Sequence, residues 1–322
     1  MSKVFVVVEH RRGAIKDTTF ELVSLARQLA DRSGLQPAAV VIGHGVAAVA
    51  DTLARYLPRV IVAEGEALAD FRYETHAAAL KDILEREAPL LTLGPHTPFG
   101  MELFPRLSVE SGRPCATDCI GVEWDGSGLS VLRSVYSGKI HSRAALAPAA
   151  GYLATVRSGS YPAAAEAGSA GAVERHPSAA LPGPSRTEHL GYREAPPSAV
   201  DISQAPFIVA IGRGIKDAEN IPQVQALAER LGAVLACSRP VVDKKWLDKD
   251  RQVGTSGRTV KPRAYLALGI SGAFQHLAGI KGSGVLIAVN RDAKAPIFAA
   301  ADYGVVEDMF RIIDALEAEA GA

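Results

Sequence analysis

The chain has 322 residues, and its 35 Lys and Arg residues balance 35 Asp and Glu residues to a formal net charge of zero. This balance argues against a dedicated nucleic-acid binder, because such proteins need a basic surface that displaces phosphate counterions. Three cysteines and a hydrophobic content of 48% exclude a disulfide scaffold and global disorder.

The first predicted element is a β-branched strand at Val4–Val8. The chain enters this strand almost at once, without the pattern of a signal or transit peptide. No apolar run reaches the length of about 18 residues that a membrane-spanning helix needs. We therefore expect a cytoplasmic protein without a membrane span.

Strand-length apolar runs then alternate with segments of helical period through the first half. In chain order they are a helix from the capping-box pair Thr18 and Glu21 to Gly34, strand Ala38–Ile42, helix Val46–Arg55, strand Arg59–Ala63, helix Phe71–Arg86 and strand Leu90–Leu93. This alternation of strands and helices predicts an α/β fold with a parallel sheet and helices on its faces.

The following segment predicts a β-hairpin and then a linker. Leu129–Tyr136 and Lys139–Ala145 flank Ser137-Gly138 and favour a hairpin added to the sheet. Residues from about 157 to 200 are rich in Ala, Gly, Ser and Pro, a composition typical of extended linkers. We expect two α/β domains, residues 1–200 and 201–322.

The second half predicts a complete doubly wound α/β domain. Its predicted strands are Phe207–Ile211, Ala233–Cys237, Tyr265–Gly269, Val285–Val289 and a short one at Pro296–Ala300. A helix is expected after the N-cap Asn220, with Pro222 in its first turn, and the final helix is predicted at Gly304–Glu319.

Polar and small residues gather where these strands end, which is the edge at which open parallel sheets bind ligands. They are Ser238-Arg239, Gln252–Gly257, Gly269–His276 and Asn290. Singly, each also has an ordinary explanation as a turn, a surface ion pair or a structural histidine. Together they predict a nucleotide-type cofactor, with phosphates at a helix start and polar groups around a ring.

Other chemistries find little support in the sequence. Cys115 and Cys119 lack a second cysteine pair, so they predict free thiols rather than a metal site, and Cys237 predicts a buried thiol. The signatures G-x-S-x-G and H-E-x-x-H are absent. An NAD-dependent dehydrogenase is disfavoured because no G-x-G-x-x-G follows the first strand.

Residues 207–310 resemble the electron-transfer flavoprotein alpha subunit. The resemblance rests on Ser238–Asp243, Gln252–Gly257, Tyr265–Gly279, Ile287–Asp292, Ala295–Phe298 and Ala301–Gly304. The first half is similar to the N-terminal domain of that family through looser motifs, which are Val6–His10, Ser137-Gly138 and Leu153–Arg157.

The resemblance implies an electron carrier that is not an enzyme by itself and that holds one FAD mainly in its second domain. It also implies a beta-subunit partner, which contains AMP or a second FAD. Electrons would come from dehydrogenases of the acyl-CoA type, as in fatty acid β-oxidation, or from NADH. They would pass to a quinone oxidoreductase or another acceptor.

The same resemblance implies which residues hold the FAD. Arg213 and Ser238 would contact it, and Arg239 would lie near the isoalloxazine and stabilise its anionic reduced forms. The residues expected at the flavin edge are Gln252, Val253, Gly254, Thr255 and Ser256, with Ser256 donating toward N5. Those expected at the pyrophosphate and ribityl region are Gly269, Ile270, Ser271, Gly272, Ala273, Phe274, Gln275 and His276, with His276 reaching the pyrimidine oxygen. Asn290 and Asp308 would bind the AMP end.

One departure from the family pattern and two alternatives stay open. Thr255-Ser256 stands where many members have Gln-Thr, so the hydroxyl is kept and an amide is lost. The carrier could be a simple shuttle, or a bifurcating or menaquinone-linked form with a second FAD in the beta subunit. An alternative from another class is a non-redox protein that binds adenine nucleotides.

Overall fold

A computed structural model describes residues 2–136, 140–168, 170–176, 186–192, 201–280 and 282–319. The chain divides into two compact units, Met1–Tyr192 and Arg193–Ala322. The predicted boundary near residue 200, the hairpin turn Ser137-Gly138 and much of the predicted linker lie outside the described residues.

The first unit is built on a nine-stranded sheet. The described strands of this unit, nine in that sheet and two outside it, are β1 (Lys3–Val7), β2 (His10–Arg11), β3 (Ala14–Ile15), β4 (Gln36–Gly43), β5 (Arg59–Glu64), β6 (Leu91–Pro95), β7 (Cys115–Trp124), β8 (Leu129–Val135), β9 (Ile140–Ala145), β10 (Tyr152–Val156) and β11 (Ala172–Arg175). Its helices are α1 (Thr18–Ser33), α2 (Ala47–Ala54), α3 (Tyr73–Glu87) and α4 (Pro98–Ser111). The strand order is β11-β5-β4-β1-β6-β10-β7-β8-β9, while β2 and β3 form a separate ribbon.

Alternation along the strands divides the core of this unit into two layers. In β1, Val4 and Val6 belong to the layer covered by α1 and α2, and Phe5 and Val7 belong to the layer covered by α3 and α4. In the spatial order of the sheet, neighbouring strands from β11 through β5, β4, β1, β6 and β10 to β7 all pair in parallel. The predicted parallel sheet is confirmed, and β8 and β9 add the predicted antiparallel hairpin.

The N-terminal end of α1 differs from the predicted capping box. The N-cap position is Asp17, and Thr18 is already helical. The Glu21 carboxylate accepts a hydrogen bond of 2.6 Å from the backbone N–H of Gly159. Glu21 therefore binds a segment that is distant in the sequence.

Part of the predicted linker is bound to the first unit. The backbone N–H of Ala167 donates to the Arg55 carbonyl at 2.7 Å, and that of Gly171 donates to the Ala54 carbonyl at 2.6 Å. Strand β11 then pairs in parallel with β5 at the edge of the sheet. Small residues allow this approach, since a Cβ at Gly171 would lie 2.0 Å from the Leu57 carbonyl oxygen. The Ala-, Gly- and Ser-rich composition did not predict this strand, because pairing through the backbone needs no large apolar side chain.

The second unit contains a five-stranded sheet in which every pairing is parallel. Its strands are β12 (Phe207–Ile211), β13 (Val234–Cys237), β14 (Ala264–Leu268), β15 (Val285–Val289) and β16 (Tyr303–Val305). Its helices are α5 (Ile221–Arg230), α6 (Arg239–Asp243), α7 (Phe274–Ile280) and α8 (Met309–Glu319). The strand order is β13-β12-β14-β15-β16. Apolar residues on both faces of the sheet are buried, as the predicted doubly wound fold requires.

Two predictions near the C-terminus are wrong. The expected strand at Pro296–Ala300 is a 3₁₀-helix over Pro296–Ala299. The expected helix from Gly304 begins only at Met309, because Tyr303–Val305 pairs with β15 as the edge strand β16. A short segment of this kind can form either a helix start or a strand. Here the edge of β15 offers backbone hydrogen-bond partners, so the segment forms a strand.

The residue predicted as the N-cap of α5 occupies that position but does not cap the helix with its side chain. Asn220 is the N-cap residue, and Pro222 lies in the first turn. The side-chain amide of Asn220 donates instead to the Ile215 carbonyl at 2.9 Å. It therefore fastens the loop between β12 and α5.

A half-buried ion cluster joins four elements of the first unit. Arg59 donates two hydrogen bonds to the Glu87 carboxylate, at 2.7 and 2.8 Å, and also binds Glu174 of β11. Lys3 of β1 binds the same Glu87 carboxylate at 2.8 Å. The hydrogen bonds from Arg59, supported by Lys3, lower the pKa of Glu87 to about 2. The charged form of Glu87 is thus favoured by folding.

We expect Glu87→Gln to destabilise the first unit by about 1–3 kcal/mol, because two cations lose a charged acceptor. The folded pKa of Glu87 is about 2, below its ordinary value of 4.5. Its contribution is therefore complete above about pH 4.5 and is lost as the pH falls toward 2. Urea unfolding between pH 2 and 7, followed by the fluorescence of Trp124 in a Trp246→Phe background, measures this dependence.

The control for this prediction is Glu102→Gln on α4, where the side chain is 51% exposed and lies 3.9 Å from Arg106. An exposed pair at this distance contributes little, so the control should follow the parent protein. If Glu87→Gln and its parent lose stability equally between pH 4.5 and 2, the ion cluster does not have the proposed role.

Candidate functional site

The strand order of the second unit creates a crevice between β12 and β14. From β12 the chain passes to β13 on one side, and it then crosses over to β14 on the other. In such sheets the connections leave on opposite faces at this point, and ligands bind outside the carboxyl ends of the strands. A cavity of about 560 Å³ opens there, lined by the loops that follow β12, β13, β14 and β15 and by the start of α8.

Close backbone contact between two glycines forms the floor of the crevice. Gly269, directly after β14, has a φ of +63°, and a Cβ there would lie 2.7 Å from the Gly214 Cα. The Gly214 N–H donates to the Gly269 carbonyl at 3.1 Å. Neither residue leaves space for a side chain, so the loops after β12 and β14 meet through their backbones.

All of the site residues predicted from the sequence line this cavity except Gly272 and Phe274. A Cβ at Gly272 would lie 2.3 Å from the Ile297 backbone nitrogen, so Gly272 serves close packing of its loop. Phe274 is the first residue of α7.

The lining also includes residues that the sequence prediction missed. They are Gly214, Pro240, Asp243, Val289, Arg291, Asp292, Ala295, Pro296 and Met309. Arg291 and Asp292 follow Asn290 at the end of β15, so the same strand-end rule would have found them. Pro296 was missed because its segment was predicted to be a strand.

The loop 252–258 is fixed to two neighbouring elements. The Val253 N–H donates to the carbonyl of Cys237, the last residue of β13, at 2.9 Å, and the Thr255 N–H donates to the Gln275 carbonyl of α7 at 2.9 Å. Gln252 is only 4% exposed, and its Nε2 donates to Ser256 Oγ at 2.8 Å. The loop therefore holds an amide and a hydroxyl at the cavity in a defined arrangement.

A buried histidine lines the cavity beside a buried phenol. His276 Nε2 lies 2.9 Å from the hydroxyl of Tyr265, a side chain without solvent exposure. Burial lowers the pKa of His276 to about 4, against a smaller opposing effect of the Val253 carbonyl. The imidazole is therefore neutral at pH 7. Its Nδ1 is buried and makes no hydrogen bond of normal geometry with the described residues.

Positive charge is concentrated around the cavity by Arg213, Arg239 and Arg291. Asp308, at the start of α8, lies 3.6 Å from Arg291 and 3.4 Å from Lys216. Its Oδ1 accepts from the Phe310 N–H, and this hydrogen bond and the two cations lower the pKa of Asp308. The cavity thus combines guanidinium groups, which suit phosphates, with a carboxylate, which suits hydroxyl groups.

Comparison with protein families covers both units. Residues 4–181 match the electron transfer flavoprotein domain, and residues 201–281 match the electron transfer flavoprotein FAD-binding domain. The chain belongs to the electron transfer flavoprotein alpha-subunit family. The family implied by the sequence resemblance is thereby confirmed.

Curated relatives match along nearly the whole chain. The electron transfer flavoprotein subunit alpha of Syntrophomonas wolfei is 35% identical over 99% of this chain and 99% of its own length. The subunit of that name from Thermoanaerobacterium thermosaccharolyticum is 32% identical over 97% of this chain and 96% of its own. The LctC subunit of the NAD(+),ferredoxin lactate dehydrogenase of Acetobacterium woodii is 34% identical over 97% of this chain and 75% of its own.

The residues of the cavity fit FAD. Arg213 and Arg291 complement a diphosphate, and the Asp308 carboxylate can accept hydrogen bonds from ribose hydroxyls. The neutral side chains of Gln252 and His276 line the same cavity and provide uncharged polar groups beside a ring. Within the described ranges we find neither a group of side chains that could hold a metal ion nor a helix long and apolar enough to cross a membrane.

We expect Gly269→Ala to destabilise the second unit by about 2–4 kcal/mol, because it adds both left-handed strain and a clash with Gly214. Gly232→Ala is the matched control, since Gly232 has a φ of +62° and nothing within 4 Å of the added Cβ. Strain alone should cost the control about 1–2 kcal/mol. Urea unfolding followed by the fluorescence of Trp246, in a Trp124→Phe background, compares the two. Equal losses would show that the contact with Gly214 does not constrain the loop.

Proposed function

We propose that this chain is the FAD-binding half of a heterodimeric electron carrier. In this proposal it takes electrons from dehydrogenases and passes them, together with a beta subunit, to a quinone reductase or another acceptor. The observation that carries the proposal is the cavity at the β12–β14 crevice, which joins three arginines to buried neutral donors in a domain of the FAD-binding family. Family membership supplies the expectation of a beta subunit.

The bound FAD would supply reversible storage of electrons, and the chain's own residues would bind it and stabilise its charge. Arg213 and Arg291 suit the diphosphate, and Asp308 and Asn290 suit the adenosine end. The Arg239 side chain is 67% exposed and lies 3.4 Å from the Asp243 carboxylate one helical turn away. It can therefore move over a flavin ring without leaving a buried carboxylate unpaired. A cation at this place favours a reduced ring that carries negative charge.

The proposal includes two modes of electron transfer. A simple shuttle would receive electrons from dehydrogenases of the acyl-CoA type, with AMP in the beta subunit. A bifurcating or menaquinone-linked form would use NADH, with a second FAD in the beta subunit. The second mode is kept because a relative with 34% identity is a subunit of an NAD(+),ferredoxin lactate dehydrogenase.

Nucleotide stoichiometry tests the proposal and separates its modes. The chain would be co-expressed with its beta subunit, and FAD and AMP would be quantified after denaturation of the purified complex. We expect one FAD and one AMP per heterodimer for the shuttle, and two FAD without AMP for the NADH-linked form. A complex with adenine nucleotide but no flavin would contradict the proposal and favour the non-redox alternative.

We expect Arg239→Ala to lower the midpoint potential of the bound FAD by an amount equivalent to about 1–2 kcal/mol, since a nearby cation is lost. Arg239→Lys should recover part of this effect. The control Arg230→Ala removes an exposed arginine of α5 that does not line the cavity. Redox titration of the three purified complexes measures the shifts, and identical potentials for Arg239→Ala and Arg230→Ala would remove Arg239 from the proposed role.

A further inference from the structure

The Ser256 hydroxyl lies at the cavity with its oxygen already engaged by the protein. The Nε2 of Gln252 donates to Ser256 Oγ at 2.8 Å. Gln252 is 4% exposed and also lines the cavity, so water competes little for its amide. A buried amide of this kind keeps a hydrogen-bond partner, because leaving it unpaired is costly.

This contact determines what Ser256 can offer to a ligand. A hydroxyl has one proton and two lone pairs, so an oxygen that accepts from Gln252 still has its proton to donate. Within the described part of the chain, no acceptor for that proton is found. The hydroxyl of this exposed residue, which lines the cavity, is therefore able to donate to a ligand there.

The loop backbone holds the two residues at a fixed separation. The Arg258 N–H donates to the Gln252 carbonyl at 2.7 Å, which closes the loop on itself. A Cβ at Gly257 would lie 2.2 Å from the Gln252 carbonyl oxygen and 2.9 Å from the Gln252 Cγ. The backbone of the loop is thus closed around Gln252 and places Ser256 beside its amide.

We propose that Gln252 is a positioning residue that makes Ser256 a hydrogen-bond donor to the flavin ring. This inference rests on the proposed function, because it takes FAD as the occupant of the cavity. The group that Ser256 meets must then be an acceptor, such as an unprotonated ring nitrogen or a carbonyl oxygen. A ligand that presents an N–H at the same place would be disfavoured.

The test reverses the direction of this hydrogen bond. Gln252→Glu has nearly the same shape, but its ionised carboxylate only accepts, so at a pH where it is ionised Ser256 must donate to it and lose its proton for the ligand. The direct charge effect of the new carboxylate cancels if Ser256→Ala is measured in both backgrounds. The readout is the midpoint potential of FAD in the complex with the beta subunit, together with the FAD content of each variant.

With Gln252 present, we expect Ser256→Ala to change the ratio of affinities for reduced and oxidised FAD about tenfold, which is about 59 mV for a one-electron couple. With Gln252→Glu, the same serine substitution should change the ratio less than twofold. Gln225→Glu on α5 serves as the control, since it adds a carboxylate outside the cavity lining. In that background the tenfold effect should return.

Equal effects of Ser256→Ala with Gln252 and with Gln252→Glu would overturn the proposal, as would the absence of any effect in the parent protein. If Gln252→Glu does not assemble, Gln252→Leu removes the donor without adding charge. The serine effect should then fall to half of its original size or less, and an undiminished effect would refute the orienting role. A parent complex without FAD would instead overturn the proposed function, and this inference with it.

Discussion

The site of the second unit depends on the close approach of backbones between β12 and β14, where the connections leave on opposite faces of the sheet. Gly214 and Gly269 meet without side chains at the ends of β12 and β14. Gly254 and Gly279 form a second close backbone contact. A Cβ at Gly279 of α7 would lie 2.5 Å from the Gly254 nitrogen. The first contact joins loops that lead to opposite faces of the sheet, and the second joins the 252–258 loop to α7. Because the backbones support each other, the side chains at their tips are available to a ligand.

Charge and burial are distributed differently within this crevice. Gln252 and His276 are buried and neutral, whereas the Arg239 and Arg291 side chains are 67% and 68% exposed. This division has a physical reason, since a neutral donor can be buried at moderate cost when it is paired, while an isolated buried charge costs far more. The buried donors can define the position of a ring, and the exposed guanidiniums can adjust to charged groups.

The fold was predictable where local pattern and tertiary packing agree. Val4–Val8 and Phe207–Ile211 are apolar enough to be buried on both faces, and the resulting sheets indicated where the site lies. Prediction was wrong at Gly304, because pairing with the free edge of β15 outweighed the helical period of the residues that follow. The sequence also carried no sign that Gly272, a glycine of the expected site, packs closely against Ile297. Such contacts depend on distant residues and leave no local signal.

The first unit uses polar groups at its strand ends in another way. At the carboxyl ends of its strands, two pairs of polar side chains bind each other. Arg157 after β10 holds the Asp118 carboxylate at 2.8 Å, and Thr97 after β6 donates to Glu9 after β1 at 2.7 Å. In the second unit, Gln252 and His276 line the cavity instead, and the Gln252 amide donates to Ser256 Oγ at 2.8 Å. Function on these two related architectures therefore follows from the side chains that the strand-end loops present, and not from the sheet itself.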